Sequence, residues 1–445
     1  MALEIYNTLS KKKEKFKSIK KGKVGMYVCG PTVNDAPHLG HARMQIVFDV
    51  FRKYLEFSGY KVNFVSNVTD IEDKIINKAN ELGISIDELT KKNLNEHLED
   101  YKSLGIKIPD IQPKATAYVK EMIEMIKKLE KKGHTYVVKE DGVYYNISKF
   151  KNYGKLSGIN LDELKSKREL KDDTKGKGKK DSKDFVLWKF SKPKQPSWKS
   201  PWGNGRPGWH IECSAMTSKI LGNPFDIHAG GQDLIFPHHE DEIAQTEAAE
   251  EKKMANYWMH NAMININKVK MSKSLNNFKT IKDSLKNYSG ETIRYFVINN
   301  HYRKPMDFSI KKLDESKSSI ERLKNLIKEI PKDKIENKKY LEEFKKNMDD
   351  DLNTSGALNL LWKLIRDKKA KGKYQTIKKM DEVLGLKLLE KETIKIPKEI
   401  KELLKKRKQA RANKDFKLSD ELRNKIKTLG FEILDNKSGQ EIKKI

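Results

Sequence analysis

The segment from Val24 to Val65 dictates what kind of fold this chain can adopt. Val24-Gly-Met-Tyr-Val28 is a short apolar run of the sort that buries as a strand, and Val62-Asn-Phe-Val65 is a second. Between them Ile46, Val47, Val50, Phe51, Tyr54 and Leu55 recur at helical spacing, which predicts a helix over Ala42 to Tyr60. Strand, loop, helix, strand is the opening of a parallel α/β sheet, because parallel neighbours need a crossover between them. The loop after the first strand, Cys29-Gly-Pro-Thr-Val-Asn-Asp-Ala-Pro-His38-Leu-Gly40-His41, then sits where such sheets bind ligands. Pro37 suits an early helical position, and Gly40 lets backbone approach a ligand closely. Free N–H groups and the dipole at the helix start favour a phosphate. His38 and His41, three apart, share a face of the first turn and could donate to a phosphoryl group. A histidine pair that only caps the helix would read the same.

Composition narrows the class. A chain of 445 residues has room for about two to four domains with real cores. Mean hydropathy is −0.78, yet apolar runs recur throughout, so a globular rather than a disordered chain is expected. No apolar run approaches the ~20 residues that span a bilayer, and Met1 to Tyr6 carries no signal-peptide pattern. The expectation is a cytoplasmic protein with no membrane partner. The net charge of +29 fits a polyanionic partner, though a lysine-biased composition alone would also produce it. Only two cysteines occur, Cys29 and Cys213, too far apart to read as a disulfide framework. Metal binding or catalysis and plain packing are the competing uses.

Downstream, helices are expected over Ile71 to Leu82, from the Ser85-Ile-Asp-Glu88 cap to near Gly105, and over Ala115 to Lys132. Thr135 to Val138 and Val143 to Ile147 read as a hairpin that interrupts the βα rhythm, as an insertion would. Lys165 to Asp184, rich in Lys and Gly, reads as a mobile loop. Around Gly208 to Met216, glycines and aromatics put Cys213 in a loop-like context. Phe225 to His228 reads as a strand, followed by the loop Ala229-Gly230-Gly231-Gln-Asp233. Pro237-His238-His239-Glu240-Asp241-Glu242 opens a helix through Ala249. On it His238 and Glu242, four apart, share a face, and with the two cysteines they would make four ligands for Zn²⁺. His239 is expected to point off that face, and Glu240 and Asp241 fit a polar helix start attracted to the dipole.

After an extended pair at Ile264, the polar loop Lys270-Met-Ser-Lys273-Ser274 could neutralise a polyphosphate. Ile281 to Leu388 reads as helical with no strand signal. Helices over Glu399 to Asn413 and Ser419 to Leu429, then a strand pair near Phe431, close the chain; Lys405 to Arg411 makes the first of these helices basic.

His38-Leu-Gly-His41 and Lys270-Met-Ser-Lys-Ser274, in this order, resemble the two signature sequences of class I aminoacyl-tRNA synthetases. Met26 to Val33, Gly208 to Met216 and Phe236 to Glu242 narrow the resemblance to the cysteinyl-tRNA synthetase family, in one register from Ile5 to about Lys437. Leu39 stands where that family usually has Ile, and Ala229 where Gly is common. The resemblance implies a Rossmann-like catalytic domain split by a connective insertion, then a helical bundle and a small C-terminal α/β anticodon domain. The boundaries expected are 1–115 and 201–268 for the catalytic halves and 116–200 for the insertion. A stem-contact region follows at 269–330, the bundle at 331–395 and the anticodon domain at 396–445. It further implies one Zn²⁺ on Cys29, Cys213, His238 and Glu242, and a cysteine pocket of Cys29, Thr69, Trp209 and His228. His38, Gly40, His41, Gly230, Gly231, Asp233, Lys270 and Lys273 would bind ATP, with His38, His41, Lys270 and Lys273 catalytic. The partners implied are L-cysteine, ATP with Mg²⁺, and tRNA(Cys), for an enzyme acting as a monomer.

The residue types suit that chemistry. When an amino-acid carboxylate attacks the α-phosphorus of ATP, the protein supplies no nucleophile; it orients groups and stabilises spreading negative charge. A soft cation that binds thiolate well and alcohol poorly would separate cysteine from serine, where shape alone gives a modest preference. A closed structural zinc site is the alternative. Two other readings remain: a ligase joining cysteine to a small amine, which would not need the C-terminal third, and a non-catalytic RNA-binding relative, which would not need His38, His41 or Lys273.

Overall fold

The computed structural model describes residues 2–160, 178–193, 195–266, 269–270, 279–390, 397–436 and 439–444. It divides into two compact units, Met1–Leu388 and Leu389–Ile445.

The first unit is built on a four-stranded parallel sheet. Its strands run in the order Ala255–Asn261, Phe225–Gly231, Lys23–Val28, Lys61–Val65. The chain enters this sheet in the inner strand Lys23–Val28 and crosses through the helix Leu39–Phe57 to the edge strand Lys61–Val65. It later returns on the other side with Phe225–Gly231. The order therefore reverses between Lys23–Val28 and Phe225–Gly231, and a crevice opens beyond their carboxyl ends at such a switch point. Cys29 lies there, its N–H donating to the Ala229 carbonyl at 3.0 Å. Val24, Met26, Tyr27 and Val28 are buried on both faces of the sheet, which is why the strand reads as a continuous apolar run.

Between the sheet's two halves the chain forms the helices Asp73–Leu82, Ile86–Ser103 and Val119–Lys131. An antiparallel sheet of Thr135–Val138, Gly142–Tyr145, Phe185–Phe190 and Gly205–Pro207 follows. The expected hairpin is therefore half of a larger sheet. Most of the Lys165 to Asp184 stretch lies outside the described residues. Its far end is an anchor rather than loop: buried Asp184 accepts the Ile147 N–H at 2.9 Å and the Tyr136 hydroxyl at 2.7 Å.

The stretch expected to be wholly helical after Ile281 contains a strand, Met306–Phe308, parallel to Ile264–Ile266, which also pairs with Val269–Lys270. Three residues are too few to leave a periodic signal. The helices Ile310–Lys328, Lys338–Asp349, Thr354–Arg366 and Lys373–Leu384 complete the unit.

The second unit packs Lys398–Ala412 and Phe416–Thr428 on the hairpin Phe431–Asn436 with Gly439–Lys444, around Ile400, Leu422, Ile426 and Ile433. Not every basic residue of its first helix faces outward. Arg407 is fully buried and paired with Asp435 at 2.8 Å, with Arg411 on the same carboxylate at 3.1 Å. Among the described residues no helix is long and apolar enough to cross a membrane.

Candidate active site

Three elements carry donor side chains into the crevice. Cys29 follows directly on its strand. Cys213 lies inside the helix Trp209–Ile220, not in a loop as its glycine-rich surroundings suggested. Gly208 is the N-cap, and a Cβ there would meet the Val186 carbonyl oxygen at 2.2 Å, so the glycine serves strand contact and helix entry. His238 lies in a wide turn, Ile235–His239, ahead of the helix Glu240–Glu250 that carries Glu242.

The expected metal ligands meet. Cys29 Sγ lies 3.9 Å from Cys213 Sγ and 3.7 Å from Glu242 Oε1. His238 Nε2 lies 3.6 Å from Cys213 Sγ and 3.0 Å from Glu242 Oε1. All four donor atoms fall within 4.8 Å of one another and all four residues are buried. Two thiols, an imidazole and a carboxylate are donors of the type and number that zinc takes, so the residues fit that ion. Burial pushes the Cys29 thiol up, lifts Glu242 to about 7 and drops His238 to about 3. Desolvation thus favours the uncharged form of each, and a divalent cation among them would oppose it.

His239 is not off the ligand face. Its Nε2 is 3.2 Å from Cys29 Sγ, and Cys29, His228, His239 and Glu242 form a second, overlapping donor set. The reason is geometric: positions i and i+3 neighbour each other as i and i+4 do, and Cys29 arrives between the two histidines. His239 Nδ1 reaches His260 Nε2 at 2.8 Å, and His260 Nδ1 reaches the Thr8 hydroxyl at 2.8 Å. His238 Nδ1 reaches His210 Nδ1 at 2.9 Å. A metal-ligating histidine is ordinarily steadied through its other ring nitrogen in this way. His210 and His260 were not singled out from sequence, and His239 was placed off the ligand face; the crowding of five histidines into Trp209 to His260 was the available sign.

The expected cysteine-pocket residues surround the same cluster. The Trp209 ring stacks on His238 at 4.2 Å, and His228 Nε2 lies 2.7 Å from Glu242 Oε2. The Thr69 hydroxyl donates to Glu212 Oε2 at 2.9 Å, and burial pushes the Glu212 carboxyl up.

At the expected phosphate site the helix begins at Leu39, with His38 as N-cap, so Pro37 precedes the helix instead of entering it. His38 Nδ1 accepts the Gly40 N–H at 3.0 Å, and His41 Nδ1 accepts the His38 N–H at 3.3 Å. A ring nitrogen that accepts a backbone N–H carries no proton, so each imidazole holds its proton on Nε2. Capping and donation are therefore one arrangement rather than rival readings. A Cβ on Gly40 would fall 2.7 Å from the His38 ring. Gly230 and Gly231 end the strand Phe225–Gly231 rather than forming a loop. A Cβ on Gly230 would meet the His239 ring at 2.9 Å, and one on Gly231 the Asp233 carboxylate at 2.5 Å. Lys270 ends a strand opposite Asn265; Lys273 lies outside the described residues.

Residues 15–318 match the family model of the class I (C) tRNA synthetase catalytic domain, and residues 394–442 that of the cysteinyl-tRNA ligase anticodon binding domain. A relative from Thermococcus gammatolerans named Cysteine--tRNA ligase is 44% identical, covering 100% of both chains. One of the same name from Shewanella piezotolerans is 43% identical over 98% of each. The chain belongs to the cysteine–tRNA ligase family. As a member of that family it is an enzyme, a class I aminoacyl-tRNA synthetase. Among solved structures, Mycobacterium tuberculosis methionyl-tRNA synthetase in complex with methionyl-adenylate aligns with a TM-score of 0.57 at 14% identity, over 82% of this chain and 90% of that one. A LeuRS–tRNA complex from Agrobacterium radiobacter aligns with 0.60 at 10% identity, over 84% of each chain. At such identities the likeness is one of fold.

Proposed function

We propose that this cysteine–tRNA ligase activates L-cysteine with ATP, as the magnesium complex, and transfers it to the 3′ end of tRNA(Cys). The cysteine carboxylate attacks the α-phosphorus and pyrophosphate leaves; a ribose hydroxyl of the tRNA end then attacks the activated carbonyl and AMP leaves. The observation that carries the reading is the buried Cys29, Cys213, His238 and Glu242 cluster, set at the carboxyl ends of the two central strands. These four residues would hold one zinc ion, which supplies a soft Lewis acid that prefers a thiolate to an alcohol. Cys29, Thr69, Trp209 and His228 bound the cysteine side chain and exclude water from it. Gly230, Gly231 and Asp233 line the adenosine side, and a side chain at Gly230 would crowd the His239 ring. His38 and His41 act as the catalytic Nε2–H donors toward the phosphoryl oxygens beside Gly40, and Lys270 and Lys273 add charge as pyrophosphate departs.

In this reading the catalytic halves are 1–115 and 201–268, with a connective insertion at 116–200. Residues 269–330 contact the acceptor stem, 331–395 form the bundle and 396–445 read the anticodon. The enzyme works as a cytoplasmic monomer. The test is cysteine-dependent ATP–pyrophosphate exchange, with zinc content measured on the same sample. Exchange with cysteine, little with serine and about one zinc per chain are expected. Equal exchange with serine, or full exchange by zinc-free protein, refutes the reading.

A further inference from the structure

Arg43 lies two residues beyond His41 on the helix Leu39–Phe57 and is 1% exposed. Among the described residues its guanidinium has no carboxylate partner. Its acceptors are backbone carbonyls: Nη1 donates to Met263 at 2.7 Å, and Nη2 to Tyr302 at 3.1 Å and to Lys304. A buried cation without a counter-ion is a costly way to hold a fold together, since an apolar side chain of similar size would avoid the desolvation. Burial drops its pKa to about 10, in line with that cost.

The carbonyls it chooses are informative. Met263 O also accepts the Met306 N–H at 3.2 Å, and Tyr302 O also accepts the Ala262 N–H at 2.8 Å. These bonds open the parallel pair of Ile264–Ile266 with Met306–Phe308, and Ile264–Ile266 is also bonded to Val269–Lys270. One side chain therefore grips both strands of the pair at their root. At the other side of the helix start, the Leu39 N–H donates to Lys279 O at 3.1 Å, and the Ile281 N–H to Pro37 O at 3.0 Å. At 1.5 Å per residue, Arg43 is only about 3 Å along the axis from His41.

We propose that Arg43 is a positioning residue for adenylate formation: it fixes the register between the helix start bearing His38 and His41 and the strand pair that leads to Lys270. The proposal rests on the phosphate-binding role given above to those residues. A shift of about 1 Å between groups that clasp one phosphate chain is enough to cost about a hundredfold in rate. The cysteine side chain, held at a separate cluster, should not feel it.

The test uses the full, zinc-loaded chain with Arg43→Lys and Arg43→Met, and Leu55→Ala as a control. Leu55 is a fully buried core residue on the same helix, remote in sequence from both histidines. Cysteine-dependent pyrophosphate exchange, zinc per chain and melting temperature are measured for each. Lysine keeps the charge but lacks the planar fork that spans both strands, so Arg43→Lys should lose about tenfold or more in kcat. Its KM for cysteine should stay within about twofold and its zinc content should not change. Arg43→Met should lose more, and Leu55→Ala should melt lower yet keep kcat within about twofold while folded. If Arg43→Met fails to fold, the lysine variant decides. Full kcat in Arg43→Lys, or a loss matched by Leu55→Ala at equal melting temperature, overturns the role. A wild-type chain without exchange overturns the reading beneath it and the role as well; wild-type exchange with an unimpaired lysine variant overturns the role alone.

Discussion

His239→Ala gives a clean test of the site as built. The imidazole is fully buried, with one nitrogen 3.2 Å from Cys29 Sγ and the other 2.8 Å from His260. Truncation leaves a void on the order of 60 Å³, worth about 1.5 kcal/mol at about 24 cal/mol per Å³. The His260 Nε2 loses its partner, which adds about 1–3 kcal/mol, for a total of about 2.5–4.5 kcal/mol. Loss of a contact next to a metal ligand should weaken zinc binding by roughly 10- to 100-fold. The assays are denaturant unfolding and zinc competition with a chelator. Two further variants separate the effects. Asparagine places an amide near the ring Nδ1 and should restore stability through His260 without restoring zinc affinity. Glutamine reaches toward the Nε2 position and should do the reverse. If His239→Ala stays within about 1 kcal/mol of wild type and binds zinc equally well, His239 lies outside the site and the packing described for Cys29 is wrong.

Cys213→Ser keeps nearly the same volume, so a packing role predicts a change of about 1 kcal/mol and nothing else. A ligand role predicts zinc loss together with loss of the preference for cysteine over serine, and full zinc with intact rejection of serine would refute it. Gly30→Ala would put a Cβ 1.6 Å from the Asn67 carbonyl oxygen, which is backbone and cannot swing aside. It should destabilise by about 3 kcal/mol or more by thermal or urea unfolding, and a neutral result would contradict the loop geometry at Cys29. Removal of the compact unit Leu389–Ile445 should spare cysteine-dependent exchange and sharply reduce tRNA charging. Normal charging by the truncated chain would exclude an anticodon role for that unit.

What could be read from the sequence was whatever leaves a period or a fixed spacing. The Val24 to Val65 unit announced a parallel sheet because its strand is a continuous apolar run buried on both faces and the apolar residues of its helix recur at helical spacing, although Ala42 to Arg52 are all buried. His38 with His41, and His238 with Glu242, meet across helix starts at spacings that can be counted. Cys213 was misjudged because the helix Trp209–Ile220 is buried from His210 through Thr217, all the way round. Such a helix has no polar stripe to set against an apolar one, and the glycines before it dominate the pattern. Pairing across the chain left no mark either: nothing near Arg407 in sequence says that Asp435 will face it, and a run of Lys and Arg reads as surface.

The hardest case is His238-His239-Glu240-Asp241-Glu242, five polar residues that are all buried. A run this polar at a helix start reads as solvent-facing and dipole-stabilised, and each residue instead has a distant partner. Glu240 accepts the N–H groups of Gly154, Leu156 and Ser157 at 2.8–3.2 Å, and Asp241 accepts the Tyr153 hydroxyl. The same turn that offers His238 and Glu242 to a metal therefore also holds the Tyr153 to Ser157 loop, whose Leu156 packs in the apolar cluster with Cys29 and Cys213. Burial is tolerable because almost every lone pair is used, and for that reason no one of the five can be removed without leaving a partner orphaned in the interior. Their deletions should then be far from additive. A helix of this composition sits in the core not in spite of its polarity but because groups placed to hold a metal, like loop anchors, need fixed, dry surroundings.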